Sequence, residues 1–141
     1  MRGSSRGFTQ MEVLICIGIA SVLAALSIPR ATAWGDTARA HGAAWSLATA
    51  LRQVRARALR SGATLTVRFD PTTANWETRN AAGAVLDTNP LPPRLRFGSL
   101  PQSQQLHFGA TGRSDNGTIA LSCGTSSARV VVNQRGRVRI G

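Results

Sequence analysis

The residues best placed to do chemistry in this sequence are arginines near its C-terminal end, where Arg135, Arg137 and Arg139 surround Gly136. A guanidinium is a planar fork of N–H donors, the geometry that grips phosphate or carboxylate oxygens in pairs. The segment Arg129 to Val132, then Asn133 to Gly136, then Arg137 to Ile140 reads as a hairpin. Side chains alternate along a strand, so Arg137 and Arg139 share one face while Val138 and Ile140 take the other. Arg135 stands close by in the turn. Gly136 supplies the positive φ that such a turn uses. Two readings fit this spacing: a donor array for phosphate oxygens, or the wet face of a half-buried strand.

No catalytic set accompanies these arginines. His41 and His107 are the only histidines, and neither lies in a metal-ligand spacing. Gly109-Ala110-Thr111-Gly112 lacks the Gly-Lys-Ser/Thr of a phosphate loop and reads as a surface turn. Asp70, Glu77, Asp87 and Asp115 have no spacing that couples them as acid and base. The expectation is a chain that is not an enzyme, with no catalytic residues, no cofactor and no metal. Cys16 falls in an apolar run and Cys123 in an alternating strand with Ile119 and Leu121, which predicts no disulfide and a buried, inert Cys123 thiol.

Of 141 residues, 17 are basic and all of these are Arg, against six acids, for a net charge of +11. A GC-rich genome accounts for Arg in place of Lys but not for the shortage of acids, and the surplus predicts attraction to polyanions. The length allows one domain beside a membrane segment.

The elements that must position the arginines follow from periodicity. Ala40, Ala44, Leu47, Leu51, Val54 and Ala58 recur at spacings of four and three, one apolar stripe on a helix that Gly62 stops. Arg52, Arg55, Arg57 and Arg60 lie around it and read as a solvated basic face. Beyond Gly62 the period becomes two: Leu65, Val67 and Phe69 against Thr64, Thr66 and Arg68. Asp70-Pro71 begins a turn, Asn75 to Arg79 returns with Trp76, and Gly83 turns the chain again before Val85 and Leu86. After an irregular stretch at Pro90, Pro92 and Pro93, short strands are expected near Arg94 to Phe97, Gln105 to Phe108, Thr118 to Cys123, Arg129 to Val132 and Arg137 to Ile140. A long N-terminal helix packed on an antiparallel sheet makes the fold class α+β.

The N-terminal stretch Phe8 to Ile28, FTQMEVLICIGIASVLAALSI, is long enough to cross a bilayer as a helix. Arg2 and Arg6 before it predict a cytoplasmic start and an exported C-terminal body. Glu12 costs about 2.5 to 3.5 kcal/mol in such a segment and needs a partner. A secretory signal peptide cleaved after Ala31-Thr32-Ala33 is the competing reading of the same stretch.

The spacing Gly7-Phe8-Thr9 with Glu12 ahead of an apolar run resembles the class III signal of type IV pilins and pseudopilins. That resemblance implies cleavage between Gly7 and Phe8 by a prepilin peptidase and methylation of Phe8. It implies a leader over 1–7, a transmembrane and assembly helix over 8–29 and an exported globular domain over 30–141. It also implies that the Phe8 ammonium neutralises Glu12 during assembly, and that the helix bends or melts near Pro29. Leu51 to Val67, LRQVRARALRSGATLTV, is similar to the helix-to-strand block of the GspH/FimT minor pilins. Leu106 to Gly112, Gly117 to Cys123 and the terminal GRVRIG continue the likeness, while Pro71 to Ser103 matches loosely. Related proteins often pair a Cys near the end of the first strand with one at the place of Cys123; here that strand ends Arg68-Phe69-Asp70. The G-R-x-R of Gly136 to Arg139 resembles the DNA-contacting motif of FimT-type minor pilins. The partners implied are other pilins in a filament, the peptidase, the inner membrane and DNA bound without sequence preference during natural transformation. The alternative is a structural pseudopilin of type II secretion that does not bind DNA.

Overall fold

A computed structural model describes residues 9–141, with the side chains of residues 26–33 excepted. The leader, the Gly7–Phe8 junction and the side chains of Pro29 and Ala31 to Ala33 lie outside the described residues. The chain divides into two compact units, Met1–Trp34 and Gly35–Gly141, and helix α1 (Gln10–Ser61) contributes residues to both. Its backbone stays helical through Pro29, so the helix does not melt there. One ladder bond lost in the middle of a long helix leaves the neighbouring turns to hold it.

In the first unit, Thr9 caps α1. The backbone N–H of Glu12 donates to the Thr9 carbonyl at 3.0 Å and to Thr9 Oγ1 at 3.3 Å. Thr9 and Glu12 therefore hold the N-cap and N3 positions of a Thr-x-x-Glu start, and the acid sits at the positive end of the helix dipole. Large apolar side chains stand exposed around the helix, including Met11, Leu14, Ile17, Ile19, Val22 and Leu23. Among the described residues no helix is long and apolar enough to cross a membrane. The apolar run read in the sequence continues past Ala25 into side chains outside that description.

In the second unit the predicted stripe of α1 is buried: Ala40, Ala44, Leu51 and Ala58 completely, Leu47 and Val54 nearly so, joined by Ala43 and Ala48. Burying each large member is worth about 1.5 to 3 kcal/mol. The strands are β1 (Leu65–Asp70), β2 (Asn75–Arg79), β3 (Val85–Pro90), β4 (Leu95–Ser99), β5 (Gln105–Phe108), β6 (Gly117–Cys123), β7 (Ser126–Val132) and β8 (Val138–Ile140). They form two antiparallel four-stranded sheets, ordered β3-β2-β1-β5 and β4-β6-β7-β8, where the sequence pattern leads to an expectation of one. The switch falls after β3, where Pro92 and Pro93 carry no N–H to continue a ladder, and β4 pairs with β6 instead. The inner sides share a core that includes Phe69, Phe108, Ile119, Leu121 and Val130, with Phe69 and Phe97 edge to face at 5.7 Å. The fold is the expected α+β, a helix packed on antiparallel strands.

Both cysteines are free. Cys123 is buried beside Ile119 and Leu121, its Sγ 3.4 Å from Asp36 Oδ1. Burial, and then the Asp36 carboxylate, push its thiol above the ordinary range.

Candidate nucleic-acid interface

The C-terminal hairpin forms as its pattern dictates, with Val130, Val131 and Val132 of β7 opposite Ile140, Arg139 and Val138 of β8. Val132 and Val138 are buried, whereas Arg135, Arg137 and Arg139 are exposed. Asn133 organises the turn. Its N–H donates to the Arg137 carbonyl at 3.1 Å, and its carbonyl accepts from Gly136 N–H at 2.8 Å. Its side-chain Oδ1 accepts from the N–H groups of Arg135 at 3.1 Å and Arg137 at 2.9 Å. Gly136 closes the turn at φ 70, and a Cβ there would collide with the Gly112 carbonyl and the Arg55 side chain. Only glycine fits, for both reasons.

Two helix arginines reach the hairpin. Arg55 donates from Nε to the Gly112 carbonyl at 3.0 Å and from Nη2 to the Arg135 carbonyl at 3.1 Å. Arg52 donates from Nη2 to the Val138 carbonyl at 3.1 Å and lies 6.0 Å over the Trp45 ring. Arg52, Arg57 and Arg60 are exposed, as expected of a solvated basic face, but Arg52 and Arg55 also pin the hairpin, and Arg57 pairs with Asp87 at 2.6 Å. Carbonyls at the end of a sheet have lone pairs left over, and a guanidinium one or two turns from the helix end satisfies them. Ser114 adds a second tie, its N–H donating to the Gln134 carbonyl at 3.1 Å and its hydroxyl to the Asn133 carbonyl at 2.8 Å.

The result is a cleft of about 470 Å³ whose lining includes Arg52, Arg55, Arg135 and Arg137 around Gly136, with no acid among the lining residues. Four arginines around one opening make a focus of positive potential suited to an anion of phosphate size. Arg52, Arg55 and Asn133 are not singled out as site residues by the sequence reading. The signals are present in it: Arg52 and Arg55 share a helix face at i, i+3 beside the buried stripe, and Asn133-x-x-Gly136 is a turn signature.

Elsewhere, His107 Nδ1 meets Asp115 Oδ2 at 2.6 Å, both about half exposed, a pairing that sequence spacing does not couple. Among the described residues no three His, Cys, Asp or Glu side chains gather as metal ligands. Glu12 belongs to the first unit, and Gly7 and Phe8 lie outside the described residues.

A protein-family model described as Type II transport protein GspH matches residues 43–136. The chain belongs to the GspH family. No curated protein matches it. Among solved structures, this GspH-family chain is similar to the minor pseudopilin EpsH from the type 2 secretion system of Vibrio cholerae. The identity is 20%, the match covers 73% of this chain and 96% of that one, and the TM-score is 0.60. It is also similar to the type IV minor pilin FimU of Pseudomonas aeruginosa at 18% identity, covering 72% of this chain and 87% of that one with a TM-score of 0.60. At these identities the likeness shows the fold, which is that of type IV pilin-like minor pilins and pseudopilins.

Proposed function

We propose that this GspH-family chain is a minor type IV pilin that assembles with other pilins into a filament and binds DNA without sequence preference for uptake in natural transformation. The observation that carries the reading is the acid-free arginine cleft, which the turn Asn133 to Arg137 and the helix arginines hold open. Hydrogen bonds to carbonyls hold Arg52 and Arg55 in place, while Arg135, Arg137 and Arg139 project to solvent. Contacts of this kind attract phosphates and read no bases. One subunit would bind with a dissociation constant of about 10⁻⁴ to 10⁻⁶ M, and several subunits on a filament would gain by avidity.

The same reading gives the N-terminal helix its use. Exposed apolar side chains on every side of a helix call for a covering, supplied by lipid before assembly and by neighbouring helices afterwards. In this scheme a prepilin peptidase cuts between Gly7 and Phe8, Phe8 is methylated, the inner membrane holds the helix, and the second unit faces the periplasm until the filament takes it up. Glu12 then pairs with the Phe8 ammonium.

The test is the salt dependence of DNA binding by the full chain. Replacing Arg137 and Arg139 by Ala should weaken binding to all sequences alike and lower the log-log salt slope by about 1.8. An unchanged slope would favour the second reading, a structural minor pseudopilin of type II secretion that does not bind DNA. That reading draws on the family description and on the likeness to EpsH.

A further inference from the structure

The second sheet has an outer face without a single acid. Its strands β4, β6, β7 and β8 contain no Asp or Glu, and their outward positions include Arg96, Arg129 and Arg139, all exposed. The acids of this unit are engaged elsewhere. Asp36, Glu77, Asp87 and Asp115 pair with Arg39, Arg79, Arg57 and His107, and Asp70 accepts from the N–H groups of Thr72 and Thr73. Among the described residues Arg96, Arg129 and Arg139 form no ion pair.

Register places the three in a diagonal row. Arg139 stands opposite Val131 on β7, so Arg129 lies one strand over and one outward position along, about 8 Å away at ordinary strand spacings. Arg96 stands opposite Ser122, which faces Ser127, putting it two strands beyond Arg129 and one position further, about 12 Å on. Between Arg129 and Arg96 the floor is small, with Ala120 and Ser122 outward on β6, so a rod-like polyanion can lie close there, while Val131 stands outward beside Arg139. Among the described residues no aromatic ring stands on this face, because Phe97 turns inward against Phe69. A surface without stacking platforms holds phosphates and does not hold splayed bases.

We propose that Arg96, Arg129 and Arg139 form a track along the outer face of the second sheet that carries the phosphate backbone of duplex DNA onward from the C-terminal hairpin. The track rests on the DNA reading of that hairpin and enlarges it: one subunit touches more phosphates than the hairpin alone supplies, along a line leading away from the cleft.

The experiment measures binding of the full chain, in detergent, to a fluorescent duplex across a salt series. Replacing Arg96 and Arg129 by Ala should lower the log-log slope by about 1.8, so the loss of affinity between about 50 and 200 mM salt becomes roughly tenfold smaller. Replacing both by Lys should keep the slope, which separates loss of charge from loss of fold. If the Ala pair leaves the slope unchanged while the Arg137 and Arg139 pair lowers it, the track is overturned and the hairpin reading stands. If neither pair moves it, the hairpin reading falls and takes the track with it. Tighter binding of a single strand than of the duplex of equal length would overturn the backbone track. So would a slope insensitive to Arg96 and Arg129 combined with loss of binding to a partner pilin, which would make the face a protein interface.

Discussion

Arg55 donates to two backbone oxygens from different turns, Gly112 and Arg135, and an alanine there leaves both carbonyls without their donor. Arg55→Ala should cost about 2 kcal/mol in chemical denaturation and weaken DNA binding although the side chain need not touch DNA. Arg55→Lys should recover little, because a point charge does not span both acceptors. Gly136→Ala should destabilise by more than about 1 kcal/mol, since a Cβ meets the Gly112 carbonyl and φ is positive. Glu12→Ala should leave membrane insertion intact and impair filament incorporation; normal incorporation would remove the case for the Phe8 ammonium as its partner. At Asp70 the Thr73 hydroxyl, then the Thr72 and Thr73 N–H groups, hold the carboxyl below its ordinary 3.8. A lowered acid stabilises the fold above its unfolded pKa and ceases to do so as pH falls through the folded one. Stability should therefore decline with acidification below about pH 4, less steeply in Asp70→Asn, as followed by circular dichroism.

At the scale of elements, periodicity carries most of the fold and little of what joins its parts. The stripe from Ala40 to Ala58 is legible because a helix repeats its face every three or four residues, and β2 and β5 have the bounds their alternation implies. β7 begins at Ser126, earlier than its apolar pattern predicts, because Ser126 and Ser127 pair with β6 without any apolar residue to announce a strand. The division into two sheets is not legible, since strand partners are set by long-range pairing and not by local pattern. Likewise the hairpin arginines can be read from the end of the chain, but their tie to Arg52 and Arg55 needs residues some eighty positions apart. Leu51→Ala should cost about 2 to 5 kcal/mol, because it sits at the centre of the buried stripe. Thr78 in β2 is nearly fully buried and its hydroxyl has no hydrogen-bond partner among the described residues. Thr78→Val should be neutral or stabilise slightly in the same assay.

Across the whole molecule, charge is segregated. In the second unit Asp36 on the helix, Glu77 and Asp87 on the first sheet and Asp115 beside β5 each pair with a basic side chain, while the charged residues on the second sheet are all cationic. Self-repulsion of that kind weakens a fold at low ionic strength, so moderate salt should raise the thermal midpoint even as it loosens DNA, two opposite responses in one titration. The three indoles also differ in surroundings: Trp34 and Trp45 are exposed and Trp76 is buried. The Arg52 guanidinium lies 6.0 Å over the exposed Trp45 ring and also holds the Val138 carbonyl at the rim of the cleft. An anion gripped by Arg52 in the cleft would draw on the same guanidinium. The emission of Trp45 should therefore change on occupancy, as read by fluorescence titration without a dye, and Trp45→Phe should silence the signal while leaving binding in place.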